Sequence, residues 1–163
     1  MNRASILHRR IQLLTGLFIL GLVLSGATAI PLPGELNLLV SFCGSNGESS
    51  EWARWLLRVH EALSQTQERY PFLFYGTDWL AFGHFVIAIA FIGAWRDPVR
   101  NRWLFDFGLI ACGLVIPYAL VLGGWRGIPL WWRLMDCAFG VFGFIPLWFC
   151  RKWTGELEQQ DKS

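Results

Sequence analysis

Four apolar stretches, residues 11–30, 72–95, 103–123 and 129–150, take up more than half of a 163-residue chain and limit what it can fold into. Each supplies the ~20 residues that a helix needs to cross the hydrocarbon core of a bilayer. In that medium no water pairs with a free N–H or C=O, so each stretch is expected as a helix that satisfies its own backbone. A water-soluble chain of this size would also have to hide ten Trp and thirteen Phe. A bilayer lifts that demand, because outward faces can be apolar and Trp is favoured at the headgroup level. The expectation is an all-α integral membrane protein, one domain over residues 1–163, built as a four-transmembrane-helix bundle with a short outer interfacial helix.

The first stretch has two readings. "MNRASILHRR" is a basic leader, "LLTGLFILGLVL" an apolar core, and Ala27 and Ala29 form an A-x-A pattern, so residues 1–29 have the form of a cleaved signal peptide. Gly21, Ser25 and Ala29 instead fall at four-residue steps, the spacing that lets membrane helices approach closely, and this favours a retained helix. With the N terminus inside, nine of the fourteen Lys and Arg fall on the cytoplasmic side, in agreement with the positive-inside rule. Both termini are then cytoplasmic. Compact size and short linkers place the chain in the cell (inner) membrane of a bacterium.

The outer loop, residues 31–71, has two halves. "PLPGELNLLVSFCGSNG" is rich in Pro, Gly, Ser and Asn and shows no long period. Beyond it, Trp52, Trp55, Leu56, Val59 and Leu63 form one stripe at helical spacing, which predicts an amphipathic helix over 49–66 at the outer interface. Ser49 or Ser50 can cap it, and His60 and Glu61 would reach the mouth of any cavity it covers.

Several functions have no support. A net charge of +2 without a basic polar face argues against nucleic acid. Cys43, Cys112, Cys137 and Cys150 lack metal-ligand spacing, so no metal and no cofactor is expected. Nucleophile-elbow, Walker, dinucleotide and HExxH motifs do not occur.

What remains is a set of polar side chains inside the apolar stretches. With a rise of 1.5 Å per residue, Asp78 lies ~9 Å, Asp136 ~10 Å and Tyr118 ~8 Å below the outer boundary, and His84 reaches ~18 Å. On the last stretch Arg133, Asp136, Gly140 and Gly143 share one side, which the small residues mark as a helix-facing side. Arg133 stays charged and needs a partner; Asp136 is nearest in sequence and Asp78 the expected one across the bundle. Asp106 has Arg100 and Arg102 as local partners.

Two readings follow. These groups either lock the helices together, or line an outward-facing pocket that binds, transfers or modifies a small lipophilic molecule or lipid. In the second case His84, Asp78 and Asp136 are the candidate catalytic groups. Arg133, Tyr118, Trp79, Trp131 and Trp132 are the candidate ligand-binding ones. The alternative is a non-catalytic accessory or assembly subunit whose aromatic faces bind a membrane-protein partner or a second copy of the chain. In helix number, and in its mix of carboxylates, His and aromatics, the pattern resembles in kind the four- and five-helix sterol-isomerase-like and sterol-binding proteins. Their functional residues find no match position by position, so none is carried over.

Overall fold

A computed structural model describes residues 3–43 and 50–160, the side chains of residues 42 and 43 excepted. Ser49, Lys162 and the Cys43 thiol lie outside that description. Six α-helices follow in order among the described residues: α1 Arg3–Ala29, α2 Leu32–Cys43, α3 Glu51–Arg69, α4 Tyr75–Arg96, α5 Arg102–Trp125 and α6 Leu130–Gln160. A 3₁₀ turn, Pro71–Phe74, leads into α4, and the described residues contain no strand. Helices α1, α5, α6 and α4 with its leading turn are long and apolar enough to cross a membrane.

The chain divides into two compact units, one of Met1–Gly21 with Ala88–Ser163 and one of Leu22–Ile87. In the first, the N-terminal part of α1 and the C-terminal part of α4 pack with α5 and α6. Ile11, Thr15, Phe91, Phe105, Leu147 and Cys150 are sealed from solvent there. The Phe18 and Phe91 rings meet at 4.8 Å, and the Thr15 hydroxyl and Cys150 thiol are 3.7 Å apart. Cys150 and its neighbour Thr154 act as small core fillers, the second bonding back to the Cys150 carbonyl at 2.7 Å.

The outer helices run beyond the apolar stretches that define them. α1 starts at Arg3 rather than at residue 11, and α6 continues to Gln160 rather than stopping at 150. The reason is a second apolar stripe: Leu7 and Ile11 on α1 and Thr154 and Leu157 on α6 are all buried in this unit. At ~1.5 Å per residue α6 is ~46 Å long, more than the ~30 Å of a hydrocarbon core. Ion pairs tie this basic end together: Asp106 takes the Arg151 Nε–H at 2.5 Å, Glu158 pairs with Arg102, and Glu156 with Arg3 at 3.5 Å. The expected local pairing of Asp106 with Arg100 or Arg102 is thus corrected. The α5–α6 register sets it opposite Arg151 instead.

In the second unit α2 packs on α3, and α3 on the 3₁₀ turn. α2 is an addition to the expected architecture, since its Pro and Gly read as breakers. They fall in its first turn, where N–H groups have no helical partner in any case. α3 matches the expected amphipathic helix, with Ala53 and Leu56 buried and Ser50 at its N-cap in extended geometry. His60 bonds Asn37 of α2, and Glu61 accepts from Gln65 at 3.2 Å, so both are engaged on the spot. The small residue that brings α1 close to α4 in this unit is Gly26. A Cβ there would lie 3.0 Å from the Ala81 carbonyl oxygen and 3.1 Å from His84 Cβ. Gly21 meets nothing within 4 Å and Ser25 is exposed, so neither belongs to the contact stripe.

Candidate functional site

The polar residues of the first unit are positioned by the α5–α6 hairpin, and the hairpin by its turn. "GGWRGIP" ends α5 in a Schellman closure: the Ile128 N–H reaches the Gly123 carbonyl at 2.9 Å and the Gly127 N–H the Gly124 carbonyl at 3.1 Å. Gly127 has φ +70°, a conformation that side-chain-bearing residues rarely adopt. Pro129 then stops the chain from continuing as one helix, and α6 starts at once. So short a connection makes the two helices antiparallel neighbours.

Small residues let them close. A Cβ on Gly140 would stand 2.6 Å from the Cys112 carbonyl oxygen, and one on Gly143 2.8 Å from the Cys112 sulfur. Further down, a Cβ on Gly108 would meet Leu147 Cδ1 at 2.7 Å. The helix that Gly140 and Gly143 face is therefore α5.

Arg133 sits in this hairpin as a clamp. Its stem lies flat on Gly123, where a Cβ would be 2.7 Å from both Cγ and Cδ, and its Nη1 passes over Gly124. That nitrogen donates to the Leu120 carbonyl at 3.0 Å. A cation near the C-terminal end of α5 is favoured by the helix dipole. Among the described residues no ion pair joins Arg133 to Asp136, which corrects the expected partnership. The three-residue step puts the two on one side of α6, but the Arg133 stem is drawn down onto the glycines. Its Nε is buried with no partner among the described residues.

With Arg133 turned away, Asp136 lines an open groove of about 690 Å³ on the α5 side, whose Tyr118 and Trp125 are 69% and 81% exposed. Tyr118 lines the same groove, as do Trp125, Arg126 and Ile128 of the turn, over apolar α5 residues such as Leu114 and Leu122. The Arg126 guanidinium lies over the Trp125 ring, 5.7 Å from its centre. Tyr118 and Asp136, singled out in the sequence, thus share one space. Arg133, Trp131 and Trp132 do not line it. The two tryptophans meet edge-to-face at 5.4 Å, and the Trp131 indole nitrogen is buried without a partner among the described residues. Trp125 was not among the candidate ligand-binding residues; its signal was a Trp-Arg pair in a glycine turn, where Arg126 could be read either as a cap for α5 or as an attractor of an anionic head.

Asp78, Trp79 and His84 belong to the second unit, on the first half of α4. Because the helix begins at Tyr75, Asp78 stands in its first turn, exposed, where the positive end of the dipole favours a carboxylate. Trp79 is held edge-on between Tyr75 and Phe82, at 5.9 and 5.4 Å. His84 Nδ1 is 2.8 Å from the Leu80 carbonyl oxygen. A carbonyl only accepts, so Nδ1 carries the hydrogen and Nε2 is the nitrogen left for other chemistry. Among the described residues no group of three His, Cys, Asp or Glu is placed to hold a metal ion. No protein-family model matches the chain, and no curated protein sequence and no solved structure is similar to it.

Proposed function

We propose that this chain is a multi-pass protein of a bacterial cell (inner) membrane, and that its α5–α6 groove holds a small lipophilic molecule by a polar head. The observation that carries this reading is the groove itself. It is an open groove of about 690 Å³ on the side of the hairpin, with room for a small molecule lying against the helices, and its wall is apolar except for Tyr118, Arg126 and Asp136. Asp136 can accept, Arg126 can donate and Tyr118 can do either, which suits a head that both donates and accepts, such as a hydroxyl or an amide. A carboxylate in a membrane-spanning helix is costly to keep without a task.

Membrane residence is supported by the outward faces of the first unit. Val121 on α5 and Phe139 and Phe142 on α6 are each more than 60% exposed, a placement that lipid suits better than water. Orientation is supported by the ion-paired basic end, where the start of α1, the α4–α5 turn and the end of α6 come together. By the positive-inside rule that end is cytoplasmic, both termini with it, and the α5–α6 turn faces outward.

A farnesol derivative carrying a diazirine, irradiated with the protein in membranes, tests the binding reading. The label is expected in the peptide spanning Ala111 to Ile128, reduced at least tenfold by Asp136→Ala with Tyr118→Phe. Equal labelling of the Phe139–Phe142 face would overturn it. The accessory-subunit reading is favoured by that same aromatic face, and a stoichiometric partner retained in mild detergent would select it.

A further inference from the structure

The first unit has another groove, of about 350 Å³, at its basic end. Arg102 of α5 and Trp148, Arg151, Lys152 and Glu156 of α6 line it. Its cations are only partly used. Arg102 gives Nη1 to Glu158, while its Nε is buried and has no partner among the described residues. Arg151 gives Nε to Asp106. Lys152 lies 5.6 Å over the centre of the Trp148 ring and has no carboxylate within 4 Å among the described residues. A guanidinium has five N–H groups and an ammonium three, so most of the donors around this cleft are unspent. The carboxylate in the lining, Glu156, is drawn off by Arg3 of α1.

The surroundings carry the same sign. Three arginines open α1, three flank the α4–α5 turn, and only Asp97, Asp106, Glu156 and Glu158 answer them among the described residues. Trp95, Trp103 and Trp148 are all exposed around this end, the placement of indoles at a headgroup layer. A ligand suited to the cleft is anionic, rich in acceptor oxygens and attached to something apolar.

We infer that the cleft between Arg102 and Lys152 is a binding site for the phosphate headgroup of an anionic phospholipid in the cytoplasmic leaflet. Basic clefts between membrane helices on that side hold such headgroups through several N–H···O contacts. The inference rests on the membrane reading above, not on the groove around Asp136.

Titration of the full chain in mild detergent, followed by native mass spectrometry, tests it with three probes: phosphatidylglycerol, phosphatidylcholine and inorganic phosphate. One phosphatidylglycerol per chain is expected at least tenfold tighter than phosphatidylcholine, with inorganic phosphate neither bound nor competing. Lys152→Gln should weaken it about fivefold, since each basic residue near an anionic lipid surface contributes about that factor. The Arg102→Gln, Glu158→Gln pair removes the second cation without stranding a carboxylate and should weaken it by a similar factor. Arg54→Gln, on the exposed face of α3, should change nothing. Equal affinity for the two lipids, or indifference to both cleft variants, would overturn the inference. Competition by inorganic phosphate would assign the cleft to a free anion instead, and would also overturn it. Failure of the chain to float with vesicles of any composition would count against the membrane reading itself.

Discussion

Gly140→Ala adds one methyl group at the closest point of the α5–α6 contact. The new Cβ would lie 2.6 Å from the Cys112 carbonyl oxygen. An ordinary C···O approach is no closer than about 3.3 Å, so the backbones must part by about 0.7 Å. The obstacle is a main-chain oxygen and cannot rotate aside. Overpacking of this kind costs about 1–3 kcal/mol, against which Ala gains up to about 1 kcal/mol over Gly in a helix. A net loss of up to about 2 kcal/mol is expected. Gly113→Ala, one residue beyond Cys112 on α5, meets nothing within 4 Å and should gain about 0.5–1 kcal/mol from the same propensity term.

Reversible unfolding in mixed micelles, read by tryptophan fluorescence against the mole fraction of dodecyl sulfate, measures both. Gly143→Ala adds an internal check, because its obstacle is the Cys112 sulfur at 2.8 Å. Removing that sulfur with Cys112→Ala should rescue Gly143→Ala and leave Gly140→Ala unrescued. If Gly140→Ala proves as stable as Gly113→Ala, the close α5–α6 contact is wrong, and with it the groove that the hairpin frames.

Two more outcomes follow from the same packing. In a double-mutant cycle, Arg133→Leu and Asp136→Ala should show a coupling below about 0.5 kcal/mol, since Arg133 bonds the Leu120 carbonyl and not the carboxylate. A coupling of several kcal/mol in unfolding experiments would restore the ion pair. The mature protein should keep residues 1–29, because Ile11 and Thr15 fill the core of the first unit. Peptide mapping of the membrane-extracted protein should then recover sequence from within residues 11–29, and its absence would refute this expectation.

How much of this was legible in the sequence depends on whether the signal was local. The four long helices were, because each is an apolar run of its own. α2 was not: Pro33 and Gly34 read as breakers, although a first helical turn tolerates both. The ends of α1 and α6 were missed because the basic run around Leu7 and the acidic one around Leu157 read as polar flanks, although both leucines are buried. At the candidate site, Tyr118 and Asp136 were found from depth alone, and depth survives errors of a residue or two. The seat of Arg133 was not, since Gly123 and Gly124 become a seat only when α6 folds back. Asp106 likewise finds Arg151 through the register of the hairpin, which no local spacing encodes.

Equilibrium binding of farnesol to the reconstituted protein, counted per chain by native mass spectrometry, bears most directly on whether the α5–α6 groove is a binding site. One saturable equivalent is expected on the unmodified chain, and its affinity should fall at least tenfold in Asp136→Ala. Uptake that never saturates and is identical in the two proteins would mean simple partitioning into lipid, and would contradict the assignment of the groove.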